Sequence, residues 1–327
     1  MNRHILVIAL LMTIVIPGIV YSGLFSQEIQ NNDEESIIES HPQSPQVSVR
    51  VDDEIIYLGL EEYIQGVILG EIPKDFETET LKAQAVAART YTLRSVQRYQ
   101  KHEDTYVCAN PGCCQAFCTA EAYLRQGGSQ SYLDRIYSAV MQTAGQVLIY
   151  NNQLIDATYF SASGGRTEAA VEVWGTDVPY LQSVESKGEQ TTQYINHKLE
   201  MTQKVFLECL ELPQEYIGNI SVTDVIYTDG GGIASITVCD QKFTGNQIRQ
   251  YLALPSTMFE LSVIGEQVII VSNGNGHRVG MSQYGADAMA AEGKGYVQIL
   301  EHYYPGTELR QLTAEEIKGV FDKDGNL

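Results

Sequence analysis

The chain has 327 residues, and its 21 Lys plus Arg stand against 41 Asp plus Glu, a formal net charge of −20. That length holds one large domain or two modest ones, and 44% hydrophobic with 19% charged residues is a globular balance, not a disordered one. The acidic excess excludes a protein that holds nucleic acid chiefly by neutralising phosphates, so no nucleic-acid partner is expected; it excludes nothing about sugars, and 20 Tyr against one Trp suits a polar cleft.

Residues 5–25 carry no charge and are mostly apolar, about the length that spans a bilayer core. Arg3 and His4 precede the run, and Glu28, Asp33, Glu34, Glu35 and Glu39 follow it. That asymmetry leaves the N-terminus in the cytoplasm and the rest outside. The rival is a cleaved signal peptide, whose shorter apolar region ends at a small-x-small site; Val20-Tyr21-Ser22 is a poor version of one. A single N-terminal transmembrane helix, a membrane anchor over 1–25, is therefore expected, and either reading exports the remainder. Residues 26–46 are polar and acidic, with Pro42 and Pro45, and read as a flexible tether. The folded part is expected over 47–327.

Alternation marks a strand at 47–51. Leu60, Ile64, Val67, Ile68 and Glu71 fall at helical spacing, which predicts a helix over 60–70 ended by Pro73. An Ala/Leu/Arg-rich helix follows over 78–100, with a small apolar stripe of Leu81, Ala85 and Ala88. Residues 108–118 form a Gly/Pro/Cys loop, and 132–141 a helix. Strands are expected at 147–150 and 154–160 about an Asn151-Asn152 turn, then at 220–227, 233–239 and 267–271. Short helices are expected at 247–252, 281–292 and 296–304, the last before Pro305-Gly306. Helices and strands mix without regular βαβ alternation, so the fold class is α+β, with antiparallel strands.

Glu71 ends the apolar stripe of the first helix. Partial desolvation raises a carboxyl pKa, and a helix C-terminus disfavours negative charge. Both keep a proton on Glu71, as a general acid requires; the spacing alone equally describes a surface Glu at a helix end. Lys82 and Arg89 are seven apart, on one helical face, and equally describe two solvated cations. His102, Cys108 and Cys114 are spaced six apart, with Cys113 and Cys118 close by. Thiolates and imidazole at such spacing suit tetrahedral zinc in a structural site. Zinc is the expected cofactor, its fourth ligand open between water, Cys113 and Cys118. The alternative is a disulfide, since exported cysteines usually oxidise. Cys209 and Cys239 are either buried thiols or a disulfide.

The string from Glu62 to Tyr91 resembles the signature of the stage II sporulation protein D family and its relatives, the lytic-amidase enhancers. The resemblance continues through 159–167 (Tyr159-Phe160-Ser161 to Thr167), Val173-Trp174-Gly175, 179–184 (Pro179-Tyr180-Leu181 to Val184) and 276–286 (Gly276-His277-Arg278 to Ala286), in order along nearly all of the exported part. Arg278 departs from it, standing where many relatives carry Gly, and a local backbone effect is expected. The resemblance implies a peptidoglycan lytic transglycosylase. It matches the catalytic Glu to Glu71 and the essential Lys and Arg to Lys82 and Arg89, which would orient Glu71 or bind substrate. Cys114-Gln115-Ala116-Phe117 is similar to a step in sporulation members, where a His and two Cys at the spacing of His102, Cys108 and Cys114 hold zinc.

Ser163 with His277 raises a serine hydrolase, but Gly-x-Ser-x-Gly is absent and no third-member Asp is picked out. Ser161, Ser163, His277, Gln283 and Tyr284 are therefore expected to hydrogen-bond the glycan. Implied partners are peptidoglycan strands, an amidase that strips stem peptides, and a membrane scaffold, in the space between mother cell and forespore during engulfment. The rivals are a non-catalytic glycan-binding enhancer of an amidase, a hydrolase using a second carboxylate among Glu61, Glu62, Asp75, Glu77 and Glu79, and a purely structural exported protein.

Overall fold

The computed structural model describes residues 45–98, 101–189 and 192–322. The anchor expected over 1–25, and all but the last two residues of the tether, lie outside them. Among the described residues no helix is long and apolar enough to cross a membrane.

A hairpin of β1 (Gln46–Val51) and β2 (Glu54–Gly59) runs directly into α1 (Leu60–Glu71). The turn at Asp52-Asp53, with Asp52 at φ 52°, is absorbed by an Asp that tolerates the left-handed region. Leu60, Tyr63, Ile64, Val67 and Ile68 of α1 are all buried, at the i, i+3, i+4, i+7, i+8 spacing of one helical face. After Pro73 comes α2 (Thr78–Arg98), the central partition of the fold. Its Leu81, Ala85 and Ala88 join a first core with α1. Its Ala83, Val86 and Ala87 join a second core with Leu300 and Tyr303. Small side chains on both sides let neighbours approach α2 closely.

Then follow β3 (Val107–Cys108), parallel to β1, and α3 (Ala120–Arg125), α4 (Gln130–Gln142), β4 (Gln146–Tyr150), β5 (Gln153–Leu154), β6 (Tyr159–Phe160) and α5 (Ala170–Trp174). The strand expected over 154–160 is broken into β5 and β6. Between them side chains take the backbone groups: Tyr180 Oη accepts from Asp156 N at 3.2 Å, and Tyr304 Oη donates to Thr158 O at 2.8 Å.

A β-rich lobe follows: β7 (His197–Thr202), α6 (Gln203–Cys209), β8 (Val222–Tyr227), β9 (Ile233–Val238), β10 (Gln241–Thr244), α7 (Gly245–Tyr251), β11 (Phe259–Ile264) and β12 (Gln267–Ser272). Two antiparallel sheets, ordered β10-β9-β8 and β11-β12-β7, enclose a third core around Phe206, Ile236, Phe243 and Ile270. The chain then returns. β13 (Met281–Ser282) pairs parallel with β6, and α8 (Gln283–Ala291), α9 (Tyr296–Tyr303), β14 (Glu308–Gln311) and α10 (Ala314–Phe321) complete the second and first cores. The helix expected from 281 starts at 283, because Ser282 is its N-cap, with Oγ accepting from Gly285 N at 3.2 Å. The protein is thus a mixed α+β structure.

Arg278 has φ 66°, as a position suited to Gly would. The expected effect was local, and the structure corrects this. The guanidinium is fully buried and donates to Ser163 O at 2.7 Å, Arg166 O at 2.8 Å and Glu168 at 3.0 Å, and also to Gly230 O. It ties the β-rich lobe to the loop that precedes α5.

Candidate active site

Glu71 is the last residue of α1, half-buried at the edge of a cleft of about 540 Å³. Its Oε1 accepts from Ala116 N at 2.7 Å, and its Oε2 faces Gln283 Nε2 at 3.4 Å. Burial pushes the carboxyl pKa up; the Ala116 and Gln283 donors favour the charged form and oppose this without overcoming it.

The loop carrying Ala116 reaches Glu71 because α1 presents two glycines to it. A Cβ on Gly66 would lie 2.2 Å from the Phe117 ring, and one on Gly70 would lie 2.7 Å from the Phe117 backbone nitrogen. Gly66 O accepts from Cys118 N at 3.0 Å, fixing the far side of the same loop. Gln115 is buried and donates to Tyr63 Oη at 3.2 Å and to Thr92 Oγ1 at 2.9 Å, while its Oε1 accepts from Tyr159 Oη at 2.8 Å. One side chain thereby joins α1, α2 and β6 beneath the cleft. Glu71 is the only carboxylate among the described residues lining it.

Cys113 and Cys114 line the same cleft as Glu71 and belong, with His102 and Cys108, to a cluster whose ligand atoms all lie within 4.8 Å of one another. His102 Nε2 is 3.5 Å from Cys114 Sγ and 3.7 Å from Cys113 Sγ, and the Cys113 and Cys114 sulfurs are 3.9 Å apart. Tetrahedral zinc with ordinary bond lengths sets N to S at about 3.6 Å and S to S at about 3.8 Å, so the donor set fits that ion. Cys113 joins the expected three residues, whereas Cys118 turns away and contacts Thr119 O at 3.5 Å. All the cysteines, Cys209 and Cys239 included, are free thiols, so the expected disulfide alternatives are not formed.

The other residues expected at the site scatter. Lys82 Nζ pairs with Glu79 at 2.7 Å and lies over the Tyr296 ring, outside the cleft lining. Arg89 is 0% exposed; its guanidinium is bound by Glu61 and by the carbonyls of Ala85 and Gln146. A sealed, paired guanidinium offers nothing to a substrate, so the expectation that Arg89 binds one is corrected: it braces α1 against α2 and β4. Ser163 is likewise corrected. It is fully buried, and its N and Oγ donate to Glu189 at 2.6 and 2.8 Å. Glu189 also takes Gly164 N at 3.1 Å and the Ser186 and Ser282 hydroxyls at 2.7 Å. Since Ser282 caps α8, this cluster sets where Gln283 stands.

Gln283 is the one expected binding residue that touches Glu71. Tyr284 donates its backbone N–H to Ser161 O at 3.0 Å and packs its ring edge-on against Phe76 and Tyr194. His277 lines the cleft between Phe160 and Trp174. Its Nδ1 accepts from Val279 N at 3.1 Å. Burial and the charge of Arg249 push its pKa down to about 4, against a hydrogen bond with the Tyr159 backbone, so the ring is neutral at neutral pH.

Sequence reasoning missed Lys101, Trp174, Tyr159 and Glu189 as members of the site or its support, and the Ala116 N–H altogether. A backbone donor leaves no trace in composition. Trp174, the single Trp and 47% exposed at the cleft, was the available signal for a sugar-stacking surface.

Comparison with known proteins bears on this arrangement. The family model described as Stage II sporulation protein matches residues 52–150, the stretch that contains Glu71 and the His/Cys cluster. Stage II sporulation protein D of Bacillus subtilis (strain 168) is 33% identical over 282 residues, covering 85% of this chain and 82% of that protein. The protein of the same name from Bacillus amyloliquefaciens is 35% identical over 267 residues, 77% of this chain and 74% of its own. An amidase enhancer of Bacillus subtilis (strain 168) is 29% identical over 300 residues, 75% of this chain and 40% of that protein. With these matches over most of its length, the chain belongs to the stage II sporulation protein D family.

Proposed function

We propose that the protein is a peptidoglycan lytic transglycosylase acting on stem-peptide-free glycan strands, with Glu71 as its acid and base. The observation that carries this is a half-buried carboxyl of raised pKa in a cleft whose described lining holds no second carboxylate. Glu71 protonates the oxygen linking N-acetylmuramic acid to N-acetylglucosamine, and the C1–O bond breaks. The resulting carboxylate takes the proton of the muramyl C6 hydroxyl as O6 bonds to C1, leaving a 1,6-anhydro end. The nucleophile comes from the sugar itself. The carboxylate that hydrolytic glycosidases place opposite their acid to activate water or attack the sugar is not needed. Ala116 N–H holds one oxygen of Glu71 and Gln283 faces the other, which fixes the orientation of the acid. Trp174 supplies a ring face for the sugars, beside the neutral ring of His277.

His102, Cys108, Cys113 and Cys114 would hold a structural zinc. A bound ion would fix the loop whose next residues, Gln115 and Ala116, position Glu71. Metal analysis of protein purified without chelator is expected to give about one zinc per chain; metal-free protein that cleaves glycan at full rate would sink this role. Anchoring through residues 1–25 and work at the engulfing membrane, alongside an amidase, complete the reading.

The test is mass spectrometry of products from denuded strands. Anhydro-muramyl ends are expected with wild type and none with Glu71→Gln, which keeps the shape and removes the proton donor. Products heavier by one water would show a hydrolase instead. The amidase enhancer among the relatives favours a second reading, a glycan-binding activator of a separate amidase. On that reading wild type cleaves nothing and Glu71→Gln stimulates an amidase as well as wild type does.

A further inference from the structure

We infer that Lys101 recognises the free lactyl carboxylate of muramic acid and so sets the preference for strands without stem peptides. The inference rests on the glycan reading above and adds to it the residue that distinguishes denuded from peptide-bearing sugar. Lys101 lines the cleft that holds Glu71. Its Nζ is fixed there by Cys113 O at 2.6 Å and Tyr91 Oη at 3.1 Å, and it lies 5.6 Å from the centre of the Tyr91 ring. Among the described residues lining the cleft, Glu71 and Lys101 are the only ones with charged side-chain types apart from His277 and the cysteines. Lys82 and Arg89, the cations expected to meet substrate, are tied to Glu79 and Glu61 elsewhere.

The substrate chemistry makes this position informative. A muramyl unit stripped of its peptide carries a lactyl carboxylate. The intact unit carries an amide there, neutral and extended by the peptide. A chain of net charge −20 repels an anion unless a local cation offsets the field. An ammonium in the same cleft as the acid does this with a charge-assisted hydrogen bond that an amide cannot match. N-acetylglucosamine has no lactyl group, so the contact also distinguishes muramyl from glucosaminyl units.

Calorimetric titration of the full chain carrying Glu71→Gln, which binds without turnover, tests the assignment. The probes are a muramyl tetrasaccharide with free lactyl groups, the same sugar amidated there, and chitotetraose. Adding Lys101→Gln is expected to weaken the free-acid sugar about tenfold, to leave the amide and chitotetraose unchanged, and to leave metal content unchanged. Lys101→Arg is expected to retain the preference. Equal losses for all three sugars, or no loss for the free acid, overturn the assignment. Discrimination by Lys101 in a protein whose wild type cleaves no glycan supports it and overturns the lyase reading alone. Binding of none of the sugars overturns both.

Discussion

Glu71 is placed where its charge is costly. It ends a helix, loses water to the cleft wall and keeps two donors among the described residues, so its protonated form persists above the ordinary value of 4.5. A carboxyl whose folded pKa is raised binds more protons folded than unfolded. Stability therefore falls as pH rises from 4.5 through the folded value and stays lower above it. Glu71→Gln should then be inactive yet more stable than wild type at pH 7, and thermal denaturation should show the difference closing once pH drops below about 4. His277 works with the opposite sign. Its folded pKa is about 4 against an ordinary 6.5, so its neutral form stabilises above 6.5 and that contribution is lost as pH falls towards 4. His277→Gln should remove a loss of up to about 3 kcal/mol over that window, visible as a flatter dependence of denaturation midpoint on pH.

At the scale of elements, the site is a contact between α1 and the loop from Cys114 to Cys118. Two glycines permit it, and they fail differently when filled. At Gly70 a methyl meets backbone, 2.7 Å from Phe117 N and 2.8 Å from Ala116 C, and backbone can only retreat. Gly70→Ala should push the loop off Glu71, costing about 1–3 kcal/mol and at least tenfold in glycan cleavage. At Gly66 the obstacle is the Phe117 ring. Gly66→Ala should be rescued in activity by Phe117→Leu, which shortens that ring away, while Gly70→Ala should not. The periodicity of Leu60, Ile64, Val67 and Ile68 made α1 and the place of Glu71 legible in the sequence, because one helix face faces one core. The loop was not legible, since its donor is a main-chain N–H and its fit depends on Gly66 and Gly70, far back along the chain. Lys82 and Arg89 share a helical face, as spacing said, but spacing does not say that Glu79 and Glu61 take them.

For the whole molecule, the question is what holds the β-rich lobe to the body that carries Glu71. Its strands at 222–227, 233–238 and 267–272 lie where strands were expected, at 220–227, 233–239 and 267–271, whereas their attachment was not legible. It depends on side chains brought together from distant parts of the chain. Arg278 is the clearest case. Read alone, it is one cation in a Gly-like position; folded, it is sealed against Glu168 and bridges to Gly230 of the lobe. Glu168 Oε1 also accepts from Thr228 Oγ1 at 2.8 Å and Gly232 N at 3.1 Å, so both partners span the same seam. Arg278→Gly suits the backbone at φ 66° and removes the whole buried side chain, guanidinium included. It leaves a carboxylate that is 1% exposed without its counter-charge. The expected cost is about 3–5 kcal/mol, read by chemical denaturation. If the unpaired charge is the cause, adding Glu168→Gln to Arg278→Gly should restore a large part of that stability. If the double variant is no more stable than Arg278→Gly, the guanidinium matters through its carbonyl contacts to Ser163, Arg166 and Gly230 instead. Hydrogen exchange separates these outcomes in space: loss of the ion pair should raise exchange first in β8 and β9, next to Glu168's lobe partners, while α1 and α2 keep their protection.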